Sequence, residues 1–500
     1  MQRTTVKPVL VVTAGSLAQM ALQLAMQTLI ARRFGTATEV DAYDAAISLP
    51  IVLSAVLGLP IGSVLIPIVS RAEQDHGSAG AWSAATRIGL LAVVSTALAA
   101  AILIAFAPGI VDLLFPGIAS PATPGLLRTL AWLVPANVLT AYCQAVHNWQ
   151  GRFAWPALAG VAGPAATLAM IAAAGPAISI DRVAVAAVIG AAVNVVIQFA
   201  PLLGRLSFRG GQGASMAALR LLFPLLASNL YLRMDPVVDR ALGSGFDPGT
   251  VACLGYSARV MTAALAVAVG GLSVVAFPRM ARAAQQGDAE LSREVSDSLR
   301  ALLTILVPLA AALWFFSADL IRDLFERGRF LPEDTARVAD FVRCSLGILI
   351  GGSLGEMTAR AFYARHDTRT PVVVGSLFFV LALALKFLLS GWLGPRGILI
   401  ASSISMTACA GVQLLLLSRR IGRESASGVA RRLATTATAA AAGGLSGWGV
   451  LQLHPPLASV LAGVIGFAVY AGVLTALIRW QRPAALQAAG RLDAGSGESE

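Results

Sequence analysis

Long apolar runs recur along the whole 500-residue sequence, and they constrain the fold more than any other feature. A helix needs about 20 apolar residues to cross the hydrocarbon core of a bilayer. Because such runs are separated only by short polar breaks, the sequence predicts an all-α integral membrane protein with about fourteen transmembrane helices. The predicted helix cores are 9–31, 42–69, 86–107, 126–147, 154–175, 183–204, 216–239, 251–277, 299–317, 338–361, 371–392, 397–418, 431–451 and 457–479.

The charge content supports a membrane environment. Charged residues make up 13% of the chain, whereas a soluble protein usually carries about 25%. The net charge of +11 comes with too little polar surface for a nucleic-acid-binding protein. Most Arg and Lys residues fall on one side of the predicted spans, which places both termini in the cytoplasm. Anionic lipid head groups are then the natural partners of these residues.

The two halves of the chain resemble each other, which predicts two parallel six-helix lobes around a central cavity, an architecture common in transporters. We expect an N-terminal lobe over 1–210, a C-terminal lobe over 211–425, two extra helices over 426–482 and a disordered cytoplasmic tail over 483–500. The matched segments are Ala31–Gly35 with Asp239–Gly243, Pro67–Ala72 with Pro278–Ala283, and Gly151–Pro156 with Asp367–Pro371.

Polar side chains inside the predicted spans are candidates for function, because ionisable groups at bilayer depth are costly unless paired or hydrated. Gln19, Gln23 and Gln27 form a stripe on one face of the first span. The stripe could line a cavity or hydrogen-bond to a packed helix. Asp41 begins the second span. Its carboxylate could bind substrate, or it could simply be a negative charge that the helix dipole stabilises at the N-terminus.

The second half of the chain carries further charges at membrane depth. Arg233, Asp235 and Asp239 lie in the seventh span, and Pro236 is expected to break the hydrogen-bond ladder between the two carboxylates. Arg259 lies about two turns into the eighth span, where nothing local in the sequence neutralises it.

Two later spans also contain ionisable residues. Glu356 and Arg360 are spaced to form an ion pair within one helix. Lys386 lies in the middle of an apolar run and needs a carboxylate, for which Asp235 is the expected partner. Buried structural pairs are the alternative. The candidate coupling or gating residues are Asp235, Asp239, Lys386, Arg233, Glu356 and Arg360.

Motifs of enzymes and cofactor sites are absent from the sequence. It contains no H-E-x-x-H, no G-x-x-x-x-G-K-[ST] and no G-x-S-x-G. The four cysteines form no C-x-x-C pair, so neither a metal site nor a disulfide framework is indicated. We therefore expect a protein that is not an enzyme and that uses no cofactor.

Four segments resemble the MurJ/MviN family of lipid II flippases: Arg32–Tyr43, Tyr256–Val260, Asp323–Phe330 and Ala359–Pro371. The resemblance implies the multidrug/oligosaccharidyl-lipid/polysaccharide exporter fold, in which the two extra helices form a groove for a lipid tail. It also implies that the chain flips a polyprenyl-diphosphate-linked oligosaccharide across the bacterial inner membrane by alternating access, in peptidoglycan synthesis. Enzymes of cell-wall or polysaccharide assembly are the implied protein partners.

The resemblance assigns family roles to particular residues. The family's aspartate in helix 2 falls on Asp41, its arginine in helix 8 on Arg259 and an acidic position in helix 7 on Asp235. A family position that helps hold a cation in helix 11 falls on Lys386, so its ammonium could replace that ion beside Asp235. The candidate substrate-binding residues are Arg259, Asp41, Gln19, Gln23 and Gln27.

This chain departs from the family at other cavity positions. The family's two arginines in helix 1 fall near Met20 and Met26, and those in helix 2 near Ser54 and Ala55. Because of these departures, several functions other than lipid II flipping stay open for this chain. They are a flippase for exopolysaccharide or O-antigen repeat units, a cation-coupled antiporter of the same superfamily, a membrane glycosyltransferase or ligase, and a scaffold that does not transport.

Overall fold

A computed structural model describes residues 6–118, 120–175, 177–207, 233–422, 424–452 and 464–477. Ordered secondary structure in these ranges is helical throughout. In the first half the helices are α1 (Val6–Phe34), α2 (Thr38–Ala105), α3 (Ala107–Leu114), α4 (Thr123–Leu130), α5 (Leu133–Trp149), α6 (Ala154–Ala173) and α7 (Ile180–Phe199), followed by a 3-10 turn at Ala200–Arg205.

The remaining helices begin beyond residue 232. They are α8 (Asp235–Gly243), α9 (Thr250–Gln286), α10 (Asp288–Phe325), α11 (Pro332–Cys344), α12 (Leu346–Ala364), α13 (Arg369–Leu393), α14 (Pro395–Ile421), α15 (Glu424–Gln452) and α16 (Val464–Leu477). Most of the predicted seventh span and the whole predicted tail lie outside the described residues.

The apolar runs of the sequence become helices, with three differences in how they are joined. Within the described ranges, nine segments are long and apolar enough to cross a membrane. The predicted second and third spans form one element, α2, rather than two helices with a loop. The fourth span divides into α4 and α5, and the tenth into α11 and α12.

A single glycine separates the two halves of α2. Gly77 has φ of 66° and ψ of −166°, a backbone conformation that residues other than glycine rarely adopt. The chain therefore turns there without an intervening loop. Hydropathy locates the two apolar halves but not this backbone conformation.

The described helices divide into two compact units. The first contains the described residues of 1–255 and 325–334, and the second contains the described residues of 256–324 and 335–500. The lobe boundary predicted near residue 210 adjoins the undescribed range 208–232 and stays a prediction.

In the first unit, α5 packs with one apolar face against α2. Val138, Tyr142 and Val146 are buried in the cluster between the two helices. The Tyr142 hydroxyl donates a hydrogen bond of 3.0 Å to the Ala85 carbonyl. This contact fixes the rotation of α5, so that its opposite face is left free of the core.

In the second unit, α12 approaches α14 through small residues. A Cβ on Gly351 would lie 2.4 Å from the Met406 carbonyl carbon, so only glycine permits this spacing. Ser403 donates to the Cys344 carbonyl at 2.6 Å, and Thr407 donates to the Gly347 carbonyl at 3.0 Å. Small residues and hydroxyls are the usual means of joining helices in lipid, where no hydrophobic force drives them together.

The two C-terminal helices attach to α10. Arg432 on α15 donates to the Thr304 hydroxyl at 2.9 Å, and Tyr470 on α16 donates to the Thr304 carbonyl at 2.7 Å. Ala439, Ala440 and Tyr470 form a small buried cluster that packs against α10.

Candidate functional site

The first unit contains a partly polar cavity of about 470 Å³ between α2, α5 and the chain just before α8. This volume is in the range of small-molecule binding sites. Polar groups in such a position are unusual because α2 and the segment that contains α5 are each long and apolar enough to cross a membrane. The lining residues are Ile51, Ser54, Ala55, Gly58, Gly62, Ile66, Asn137, Ala141, Gln144, Ala145, Asn148 and Arg233.

An amide ladder on α5, formed by Asn137, Gln144 and Asn148, gives the cavity its polar wall. The spacing of seven and four residues places the three side chains on one helix face. The buried face with Tyr142 directs them away from the core. Sequence reasoning missed this ladder, although three amides at helical spacing in an otherwise apolar run were the signal that could have found it.

The part of the lining that α2 contributes contains one polar side chain, Ser54, among the described residues. Ser54 donates its hydroxyl hydrogen bond to the Pro50 carbonyl at 2.7 Å and accepts one of 3.4 Å from Asn137. A Cβ on Gly62 would meet no atom within 4 Å, so this position opens directly onto empty space.

Arg233 supplies the positive charge of the cavity. It is the only ionisable side chain among the described lining residues, and it is exposed. A guanidinium can bind an anion through two parallel hydrogen bonds. The sequence singled out Arg233 for coupling or gating, and the structure places it in the cavity.

Asp41 is buried, and its carboxylate binds the backbone at the start of α9. Its Oδ2 accepts the Gly249 N–H at 2.5 Å and its Oδ1 accepts the Ala252 N–H at 2.6 Å. A carboxylate at this position satisfies amides that the helix itself leaves unpaired. This geometry favours a capping contribution from Asp41, and Asp41 does not line the described cavity.

The predicted glutamine stripe on α1 does not line the described cavity either. A Cβ on Gly160 would lie 2.9 Å from Oε1 of Gln19, which shows that this amide faces α6. Gln23 is exposed, and the buried Oε1 of Gln27 has no hydrogen-bond partner among the described residues. For Gln19, packing between helices is the interpretation that the contacts favour.

Two acidic candidates lie on α8. Asp235 is the first residue of α8 and Asp239 follows one turn later, and both are half-buried. Pro236 lies in the first turn of α8, where no hydrogen bond is lost, because that turn's N–H groups have no partner inside the helix. The expected break between the two carboxylates is therefore wrong, since the helix runs unbroken from Asp235 through Asp239.

The remaining candidates lie in the second unit. The guanidinium carbon of Arg259 is 5.4 Å from the centre of the Tyr256 ring, a cation–π distance. The expected ion pair forms, with Arg360 Nη2 2.6 Å from Glu356 Oε1. Lys386 is fully buried.

A capped corner forms where the motif Ala359–Pro371 ends. Asp367 accepts hydrogen bonds from the backbone N–H of Thr370 at 2.9 Å and from its hydroxyl at 2.6 Å. Arg420 also binds this carboxylate at 2.5 Å. The hydrogen bonds from Thr370, with Arg420 adding to them, lower the pKa of Asp367 to about 2. The end of the segment Ala359–Pro371, which resembles the family, therefore forms a turn between α12 and α13.

Two other matched segments come together within the first unit. The Arg329 N–H donates to the Arg32 carbonyl at 2.9 Å, and the Thr36 hydroxyl donates to Asp334 at 2.5 Å. Gly328 has φ of 68°, and a Cβ there would collide with the Arg32 carbonyl oxygen. These residues hold the α1–α2 loop against the α10–α11 loop.

A sequence model described as "Lipid II flippase MurJ" matches residues 30–465 of the chain. This chain belongs to the MurJ family. The lipid II flippase MurJ of Burkholderia cenocepacia is 25% identical over 83% of this chain and 83% of its own length. The probable lipid II flippase MurJ of Thermotoga maritima is 23% identical over 81% of this chain and 84% of its own length.

A third relative matches over a shorter stretch. The probable lipid II flippase MurJ of Rhizobium tropici is 30% identical over 189 residues, which is 37% of this chain and 35% of the relative's own length. That match spans about a third of the relative's length. It supports membership of this chain in the MurJ family over that stretch only.

Solved structures agree on the fold. A lipid II flippase MurJ in an inward closed conformation superposes with a TM-score of 0.79 at 20% identity, covering 94% of this chain and 99% of that one. A multidrug resistance MATE transporter in an inward-facing conformation gives 0.68 at 17% identity, covering 81% and 94%. The all-α membrane fold expected from the sequence is confirmed, and so is the resemblance to the MurJ family.

Proposed function

We propose that this chain flips lipid II, a polyprenyl-diphosphate-linked sugar, across the bacterial inner membrane for peptidoglycan synthesis. The observation that carries the proposal is the polar cavity inside an apolar helical unit of a MurJ family member. A head group of sugars and diphosphate needs a hydrated space of this kind to pass the hydrocarbon layer, because desolvating charge there is prohibitively costly. No catalytic step is required, so the chain acts as a transporter with alternating access.

The proposal assigns roles to the candidates that the cavity does not contain. Arg259, held against the Tyr256 ring, binds a phosphate group of the substrate. The carboxylates of Asp41, Asp235 and Asp239 change their contacts when the protein changes conformation. Both termini of the chain lie in the cytoplasm. The Glu356–Arg360 pair keeps two charges neutralised while α12 moves.

Complementation in cells depleted of their own lipid II flippase tests this function. We expect the wild-type chain to restore growth and to restore accessibility of lipid II to an externally added probe. Depleted cells that carry an empty vector serve as the transport-deficient control. If the wild-type chain fails there but rescues a mutant lacking a capsule repeat-unit flippase, the substrate assignment is wrong and the exopolysaccharide alternative replaces it.

The exopolysaccharide alternative has one observation in its favour. Ser54 and Ala55, at the positions where the family's arginines in helix 2 are expected, line the cavity without any charge. A cavity with fewer cations suits a head group that carries less negative charge than lipid II.

Lys386 supports a further expectation about energy coupling. A fully buried ammonium at membrane depth can occupy the place of a coupling cation. We therefore expect transport to proceed at the same rate when choline replaces sodium in proteoliposomes or cells. A rate that falls steeply without sodium would contradict this assignment, and a Lys386→Met variant that gains a sodium requirement would support it.

A further inference from the structure

We infer that Arg233 and the amide ladder of α5 form one binding site for a diphosphate and the sugar attached to it. The inference rests on the proposed function and extends it, because it names the chemical groups that the cavity recognises. It also gives Arg233 a direct contact with substrate in place of the coupling or gating role expected from the sequence.

The charge distribution of the cavity identifies the anion contact. Arg233 is the only cation among the described lining residues, and none of those residues carries a negative charge that would compete for it. Its guanidinium fits the oxygens of a phosphate in a two-point contact.

The amide ladder identifies the neighbouring group. Asn137, Gln144 and Asn148 each present a donor and an acceptor to the same space as Arg233. Eleven residues of helix separate the first from the last, a rise of about 16 Å. Sugar hydroxyls and acetamido groups, which also donate and accept, match such a wall, whereas a hydrophobic drug would leave these amides unpaired.

The α2 side of the cavity touches α5 at one end and opens at the other. Ser54 accepts a hydrogen bond from Asn137, and a Cβ on Gly58 would lie 3.4 Å from the Ala141 Cβ. A Cβ on Gly62 would meet no atom within 4 Å, so the free space of the site lies at that position. The cavity of about 470 Å³ holds a diphosphate and part of a glycan, so a larger head group would extend beyond it.

Binding measurements on the purified full-length protein test the inference independently of transport. The probes are lipid II, undecaprenyl diphosphate, undecaprenyl phosphate and inorganic pyrophosphate, added to protein in lipid nanodiscs and quantified by native mass spectrometry. We expect Arg233→Gln to weaken binding of undecaprenyl diphosphate by about 10- to 100-fold, the range for losing a charge-assisted hydrogen bond. Binding of undecaprenyl phosphate should weaken less, because the monophosphate offers fewer oxygens.

Three comparisons keep the result specific. Arg128→Gln removes an exposed arginine that lies outside the cavity, and it should leave affinity unchanged. Arg233→Gln combined with Ala55→Arg returns a guanidinium to the same cavity from the α2 wall and should recover most of the lost affinity. Gln144→Leu should spare undecaprenyl diphosphate and weaken binding of lipid II, whose sugars meet the ladder.

Each outcome decides one point. Wild-type affinity in Arg233→Gln, with the fold intact by thermal melting, would overturn the inference. Equal loss for all lipids, or no recovery in the double variant, would also overturn it. Inorganic pyrophosphate that competes only in the presence of Arg233 supports it and shows that the anion alone is recognised. If complementation fails while these affinities behave as expected, the proposed substrate is wrong and the site assignment stands.

Discussion

Replacing Asp41 with alanine is expected to destabilise the protein by about 2 to 6 kcal/mol, because two buried N–H donors lose their acceptor at about 1 to 3 kcal/mol each. Those donors are the amides of Gly249 and Ala252 at the start of α9. Thermal unfolding of the purified protein measures the effect. Asp41→Asn, which keeps one oxygen acceptor, should give an intermediate loss.

A matched control for Asp41 lies two residues earlier on the same helix. Glu39 is exposed in the first turn of α2, so Glu39→Ala removes an equal charge at little cost to stability. An Asp41→Ala protein that melts like the wild type but fails to bind substrate would reject the capping contribution. That result would restore the direct contact with substrate expected from the sequence.

Filling the cavity through Gly62→Phe is expected to abolish transport while leaving the fold intact. A side chain there would extend into open space toward the amide ladder. Replacing a helical glycine also improves helix propensity by roughly 0.5 kcal/mol, so stability should not fall. Accessibility of lipid II to an external probe, in cells with equal amounts of each variant, measures the loss.

The control for this substitution is a glycine in open space elsewhere. Gly109 on α3 is exposed, and a Cβ there would also meet no atom within 4 Å. Gly109→Phe should therefore transport like the wild type. Normal transport by Gly62→Phe would show that the substrate does not pass through the described cavity.

Much of the fold could be predicted from the sequence because the bilayer fixes both the length and the secondary structure of a spanning segment. The joins between segments could not be predicted. Gly77 turns α2 with one backbone angle, and α11 and α12 part at Ser345 within one apolar run. Hydropathy averages over a window of residues and does not detect a change at a single position.

The candidate site was predictable only in part. Charge at membrane depth pointed to Arg233, which does line the cavity. The glutamine stripe was assigned by periodicity alone, and periodicity does not say which helix a face meets, so Gln19 turned out to face α6. The amides of α5 were missed because they are uncharged, and only the packing of Tyr142 shows which way they point.

Thr304 holds both terminal helices through one residue, since its hydroxyl binds Arg432 and its carbonyl binds Tyr470. Both anchors belong to one residue of α10, so α15 and α16 share their attachment point there. We therefore expect a displacement of α10 at Thr304 to shift the attachment points of α15 and α16 together.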